Sequence, residues 1–154
     1  MAITSVSSQT FLADAVNLIR DKLRNNITDP ISSKRTGNEK FVLTSYPQRP
    51  VKYPIITVVD SGTVQPARLG MQSEGTVITL TLEIRIWARN VKERDELFDS
   101  VYNWLRTNQF GGSDALTDAK LHDFTLVSAV NVDEPGESGI KSKVMEVQFL
   151  FICN

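Results

Sequence analysis

The only histidine of the 154-residue chain, His122, stands beside Asp123 in the sequence KLHDF. A histidine held by a carboxylate can act as a general base. Adjacent residues of a strand point to opposite faces of a sheet, so this pair predicts a surface or structural histidine. A typical zinc site needs several nitrogen or sulfur ligands, and one histidine with one cysteine, Cys153, does not supply them.

Other sequence patterns that could support catalysis or nucleotide binding are equally weak. The glycines of FGGS follow a predicted helix, whereas a phosphate-binding loop precedes one. Acidic residues cluster in the first half of that helix, where they interact favourably with the helix dipole, so a catalytic carboxylate pair is not indicated. These acidic residues are Glu93, Asp95, Glu96 and Asp99. We expect a protein that is not an enzyme and binds no cofactor or metal ion.

Composition and charge are those of an ordinary globular chain. Hydrophobic residues make up 41% and charged residues 23% of the sequence, and 17 basic residues balance 18 acidic ones. A chain of this length is most simply one domain, 1–154, with a sizeable core. An RNA-binding sheet would need positive charge and several exposed aromatic residues, and the polar face of the main predicted strand offers only Trp87. We therefore expect no sequence-specific binding of nucleic acid.

The sequence also carries no targeting or membrane signal. Its start, MAITSVSSQTFLADA, lacks the basic residues and continuous apolar stretch of a signal peptide. The longest apolar run, FLFIC at 149–153, is too short to span a bilayer. A single cysteine excludes an internal disulfide. These features predict folding in a cytoplasm and no membrane partner.

The strongest structural signal is an alternation of apolar and polar residues that predicts one strand over residues 77–88. At ~3.3 Å per residue this strand would span roughly 40 Å, about twice the usual length. It should bend, or project beyond the core as one arm of a hairpin. The residues predicted to face the core are Ile78, Leu80, Leu82, Ile84 and Ile86, while Thr79, Thr81, Glu83, Arg85 and Trp87 face the other way.

Two amphipathic helices are predicted. The first has Ser7 or Ser8 as N-cap and ends at the asparagines 25–26, because asparagine favours caps and turns. The second follows Asn90, has Glu93 in a capping-box position, and ends at the glycines of NQFGG. The core-facing stripes are Phe11, Leu12, Ala15, Val16, Ile19 and Leu23 in the first helix, and Val91, Arg94, Leu97, Phe98, Val101, Trp104 and Leu105 in the second.

The region between the first helix and the long strand is predicted to be mainly extended. A short strand lies at 41–44, and a proline-rich connection at 45–54 follows it. A β-branched strand at 53–59 is closed by the turn residues 60–62. Residues 61–75 are then a loop, and a loop of this length is expected to be functional or mobile.

Two C-terminal strands complete the predicted fold and pair antiparallel through the 133–143 loop. Their core-facing residues are Phe124, Leu126, Ser128, Val130 and Val132 in the first, and Met145, Val147, Phe149 and Phe151 in the second. The fold class is α+β. It is a two-layer sandwich with a mostly antiparallel sheet of four or slightly more strands and two main helices on one face. The other face is left for water or another protein.

Charge is distributed unevenly along the chain. Residues 30–54 are mainly basic and residues 114–137 mainly acidic. Two solvated surfaces are one explanation, and two complementary patches that support head-to-tail association into a ring are the other. For the second explanation, the candidate contact residues are the basic Arg35, Arg49 and Lys52, the acidic Asp133, Glu134 and Glu137, and the apolar Val64, Leu69 and Met71 of the predicted 61–75 loop.

The order of elements resembles a known family. A helix, a YPIITV strand, a long strand ending in IRIWAR, a helix RDELFDSVYNWL and two final strands follow one another. This order, over about residues 11–152, resembles the tail terminator (tail completion) proteins of long-tailed bacteriophages and their relatives in the neck. The resemblance brings no catalytic residues and no motif in the loops where contacts would lie.

The resemblance implies a structural virion protein of the tail or neck, assembled in the host cytoplasm. It would form a ring, expected to be hexameric, that caps the tail tube, ends its polymerisation and joins it to the head-side connector. Its partners would be other copies of itself, the major tail tube protein and a neck or connector protein, and the genome could pass through the ring lumen. Alternatives are a head-completion or stopper protein, another neck or tail-tube ring protein, or, from a different class, a cytoplasmic oligomeric binding module or a small enzyme.

Overall fold

The computed structural model describes residues 5–37, 39–48, 50–69, 75–110, 115–133 and 139–153. These residues form two long helices, α1 (Phe11–Asn26) and α2 (Val91–Thr107), and a short 3-10 helix (Ser32–Lys34). The strands are β1 (Val42–Leu43), β2 (Ile55–Leu69), β3 (Gly75–Ala88), β4 (His122–Asp133) and β5 (Lys141–Cys153). The predicted α+β class with one sheet and two main helices is confirmed.

The five strands form one sheet in the order β1-β2-β3-β5-β4. Only β1 and β2 pair in parallel, and all other neighbours pair antiparallel, as predicted for β4 and β5. The longest ladder joins β3 and β5 from Thr76 opposite Cys153 to Ala88 opposite Lys141. The centre of the sheet is therefore the hairpin strand β3 and the C-terminal strand β5.

One apolar cluster connects both helices to the same face of the sheet. On β3 the alternating residues from Ile78 to Ala88 are buried, and on β5 those from Met145 to Phe151 are buried, as predicted. The helices contribute Ala15, Leu18, Ile19 and Leu23 from α1, and Leu97, Val101 and Leu105 from α2. Each large aliphatic side chain in such a cluster stabilises the fold by roughly 1.5–3 kcal/mol relative to exposure.

The N-terminus of α2 has the predicted cap. Asn90 accepts a hydrogen bond from the backbone N–H of Glu93 at 2.8 Å, but Glu93 accepts from the N–H of Arg89, at 3.1 Å, instead of from Asn90. The guanidinium of Arg89 also donates to this carboxylate and thereby lowers the pKa of Glu93. Val91, predicted to face the core, is 48% exposed because the first turn extends past the edge of the apolar cluster.

The N-terminus of α1 differs from the prediction. Its N-cap is Thr10 and not Ser7 or Ser8. Asp14 holds the preceding turn, since its carboxylate accepts from the hydroxyl of Thr10 at 2.8 Å and from the N–H of Ser7 at 2.9 Å. The helix ends at Asn26, as predicted.

The predicted end of β2 at 60–62 and the loop at 61–75 are wrong. Strand β2 continues to Leu69 and pairs with β3 on both sides of an irregularity between Asp60 and Val64. The turn-forming residues produce a bulge here: Gly62 has φ +84°, and its N–H donates to Asp60 at 2.9 Å. The two strands form the predicted hairpin, whose connection at 70–74 lies outside the described residues.

The predicted face of β4 is correct only for its first half. Leu126 lies opposite the buried Val147, but the register shifts between Leu126 and Ser128. Val130 consequently lies opposite Val144, on the face without helices, and is 56% exposed. A bulge residue reverses the alternation, so a regular pattern assigned Val130 to the wrong face.

The sheet face without helices is more covered than predicted. Thr81 is 5% exposed, although the alternation predicted it to face water or a partner. The ring of Tyr46 packs against Trp87 with a centroid distance of 4.9 Å, and the indole N–H donates to Thr57 at 3.3 Å. The proline-rich connection therefore brings an aromatic side chain over one end of this face.

Truncation of the central strand tests the one-sided core. Leu82→Ala should lower the free energy of unfolding by ~2–5 kcal/mol, because it leaves a cavity beneath the helices. Thr81→Val should change it by less than about 1 kcal/mol, because the Thr81 hydroxyl is buried without a hydrogen-bond partner among the described residues. Urea unfolding followed by circular dichroism measures both changes, and equal losses would contradict the packing described here.

Candidate functional site

One edge of the sheet is an extended arm. Strand β2 pairs with β1 only at Ile56 and Thr57, so residues 58–69 form the outermost strand of the sheet in the part of the chain that the structure describes. Within this stretch residues 64–68 are all exposed. Pro66, which lacks an N–H, is tolerated in such a position because no described strand of the same chain pairs with the outer side of residues 58–69.

Within the described residues the opposite edge is formed by β4, whose single neighbour there is β5. Along β4 the side chains of Val127 and Val130 are exposed and apolar, and Asp123 is exposed near its start. Each edge strand presents a row of backbone N–H and C=O groups that can pair with a further strand. The sheet thus offers two pairing edges, one on each side.

A groove of about 350 Å³ lies beside the β2 edge, between this strand and α1. Its helix side is mainly apolar with one amide, that of Asn17, and one carboxylate, that of Asp60, lies on the strand side. The residues that line it are Leu12, Ala13, Val16, Asn17, Thr44, Val59 and Asp60. The groove begins where β1 leaves the sheet, so it can receive side chains of a strand added to β2.

Two of the predicted contact residues are bound within their own chain. Arg35 donates to the carboxylate of Asp29 at 2.6 Å, to the carbonyl oxygen of Lys52 at 2.8 Å and to that of Pro54, and its side chain is 6% exposed. A guanidinium enclosed in this way connects Asp29 to the backbone of Lys52 and Pro54, and contact of Arg35 with a neighbouring subunit stays a prediction.

Lys52 makes contacts within its own chain and also remains accessible to another subunit. Its ammonium donates to the carbonyl oxygen of Lys34 at 2.7 Å and lies 3.5 Å from the carboxylate of Glu39. About half of its side chain remains exposed. Contact with another subunit through Lys52 stays a prediction.

Of the seven remaining predicted contact residues, the structure describes the side chain of one, Val64. Val64 is 37% exposed on the β2 edge, as expected of an apolar residue without a place in the core. Arg49, Met71, Glu134 and Glu137, together with the side chains of Leu69 and Asp133, lie outside the described part of the chain.

Apart from Val64, the sequence did not point to the side chains that the two edges expose. Arg68 was assigned to a loop and Val130 to the core, and Val127 occupies a bulge that periodicity does not reveal. The run VQPAR, with a proline inside an alternating segment, was the available signal for an edge strand.

The described part of the chain shows neither a metal-ligand cluster nor a membrane-spanning helix. There, no group of three or more histidine, cysteine or acidic residues is arranged to hold a metal ion. His122 begins β4 opposite Leu150. None of the helices in the described residues has both the length and the apolar character needed to cross a bilayer.

Comparison with known proteins adds no assignment: no family model matches the chain, and no curated protein matches it at a significant level.

Removal of the Arg35 guanidinium tests its structural role. Arg35→Ala should lower the free energy of unfolding by ~3–5 kcal/mol, because it leaves the largely buried Asp29 carboxylate uncompensated. Lys34→Ala, at an exposed neighbouring position, should change it by less than ~0.5 kcal/mol. Thermal and urea unfolding measure both. A fully stable Arg35→Ala protein that fails to associate would instead support the predicted contact of Arg35 with another subunit.

Proposed function

We propose that this protein is a ring-forming structural component of a tailed-phage particle, specifically a tail terminator. It would cap the tail tube, end its polymerisation and join the tail to the head-side connector. The proposal combines the resemblance in the order of elements with the exposed sheet arm.

The observation that carries the proposal is the mismatch between the sheet and the helices that cover it. The 14 residues of β3 span roughly 46 Å, whereas the 16 residues of α1 span only ~24 Å. The helices cover the core-facing row of β3 from Ile78 onward, whereas residues 64–68 of the edge strand β2 are exposed. An exposed strand with an open edge readily pairs with other chains, so an arm of this kind favours a protein that works as an assembly.

A ring uses such a sheet as a wall. The apolar row of β3 holds the helices, and the partly exposed Glu83 and Gln148 of the opposite face would contribute to a ring surface. The partners would be further copies of the chain, the major tail tube protein and a connector protein, and the location would be the tail or neck of the virion. A ring lumen through which the genome passes needs no base-specific contacts.

Tube capping tests the proposal. Purified protein added to growing tail tubes should arrest their elongation and appear as an added ring at one end by electron microscopy. Native mass spectrometry of the free protein should show a closed ring, with six copies expected. A variant of the exposed α2 residue, Lys92→Gln, serves as a control that should behave as wild type.

Two results would redirect or reject this function. A ring that binds the connector and leaves tube growth unchanged would favour the head-completion or stopper alternative. Tubes that elongate normally, with no added ring and no connector binding, would contradict a role in the tail or neck.

A further inference from the structure

We infer that the β4 edge of one copy pairs antiparallel with residues 58–69 of β2 in the next copy, so that the sheets continue from subunit to subunit. The closed ring rests on the proposed function, whereas the edge-to-edge contact rests on the two strands themselves. The occupant of the β2 edge is thus a second copy of this chain.

The two edges match in length and irregularity. The stretch 58–69 of β2 contains 12 residues, the same number as β4. When the two stretches overlap fully, Val58 lies opposite Asp133 and Leu69 opposite His122. In that register the β2 bulge between Asp60 and Val64 meets the β4 register shift near residues 126–128. One irregularity of β4 therefore lies close to the bulge of β2. The second, between His122 and Thr125, lies opposite residues 66–69, so the added ladder is regular mainly at residues 58–60.

Strand direction favours a head-to-tail arrangement. With the order β1-β2-β3-β5-β4 and antiparallel pairing from β2 onward, β2 and β5 run one way and β3 and β4 the other. Rotation about an axis along the strands preserves their directions, so β4 of one copy meets β2 of the next antiparallel. A rotation of this kind uses two different surfaces on each copy and can close into a ring.

Side chains agree with the same register. Arg68 falls opposite Asp123, and both are exposed, so the charges are complementary. Val64 falls opposite Val127, and both valines are exposed in the single chain. Two exposed apolar residues would therefore become covered, and one pair of opposite charges would set the register.

The groove beside β2 fits the helix side of β4. Asn131 lies opposite Asp60 in this register. Asp60 pairs with the core-facing Leu82, and Asn131 pairs with Lys143, whose ammonium lies 4.5 Å from the Phe98 ring of α2. Both side chains are therefore on the helix side of their sheets, where the amide of Asn131 can donate to the Asp60 carboxylate. The small Ala129, on the same side, leaves room for the groove walls.

Disulfide crosslinking tests the contact directly. In a Cys153→Ser background, Val64→Cys combined with Val127→Cys should form a ladder of covalent multimers on mild oxidation. Each single variant should remain monomeric on a non-reducing gel, because its cysteine would lie opposite a valine of the next copy and could form no disulfide. As a matched control, Ile152→Cys with Val64→Cys should give no ladder, because Ile152 is exposed on β5, inside the sheet order.

A double-mutant cycle tests the charge pair. Arg68→Gln and Asp123→Asn should each raise the dissociation constant of the oligomer about two- to fivefold, as expected for a rim ion pair, and the double variant should raise it no further. Asparagine is used at 123 because this position has φ +54°. Lys92→Gln should leave the constant unchanged. Sedimentation over a concentration series measures the dissociation constants of the wild type and the four variants.

Each other outcome overturns the inference. Dimers formed by Val64→Cys alone would show two-fold pairing of β2 with β2. Wild-type rings without any ladder from the double cysteine protein would place the contact elsewhere and leave the tail function standing. A wild-type chain that remains monomeric throughout the series would reject the contact, and the tube-capping assay would then decide the function independently.

Discussion

Packing of one row of β3 side chains against two helices is the interaction on which the rest of the structure depends. The row from Ile78 to Ala88 is buried by α1 and α2, and the neighbouring strands extend the same apolar face. A shift of β3 by one residue would expose the whole row, so this contact fixes the register of the sheet. Because the helices cover only part of the long β2–β3 hairpin, the same contact also determines which part remains available for other chains.

The parts of the fold that the sequence predicted well are those with unbroken periodicity. The long strand β3, the strand β5 and the end of α1 at Asn26 follow directly from it. The errors occur at bulges. Asp60 and Gly62 resemble a strand-ending turn but form a bulge inside β2, and a bulge in β4 reverses the side on which Val130 lies. One extra residue changes the face of every following residue, and local sequence does not reveal it.

The candidate site was harder to predict because an edge is a property of the sheet order. The sequence of β4 does not indicate that this strand lies at the edge of the described sheet. Arg68 can be recognised as an edge residue only once β2 is known to reach Leu69. Arg35 illustrates the converse. Its charge suggested a partner in another subunit, but Asp29 and two backbone carbonyls bind it within the chain, and contacts of this kind depend on how the segment 29–54 folds back.

Backbone hydrogen exchange at the two sheet edges tests the central claim, assembly through free edges, most directly. Amides of residues 58–69 and 122–133 that point away from the sheet should exchange rapidly in dilute, monomeric protein. They should become protected as the protein concentration rises and the oligomer forms, because an added strand accepts their hydrogen bonds. Amides within β3 should be protected throughout. Edges that exchange equally fast in the assembled and the monomeric protein would contradict the account.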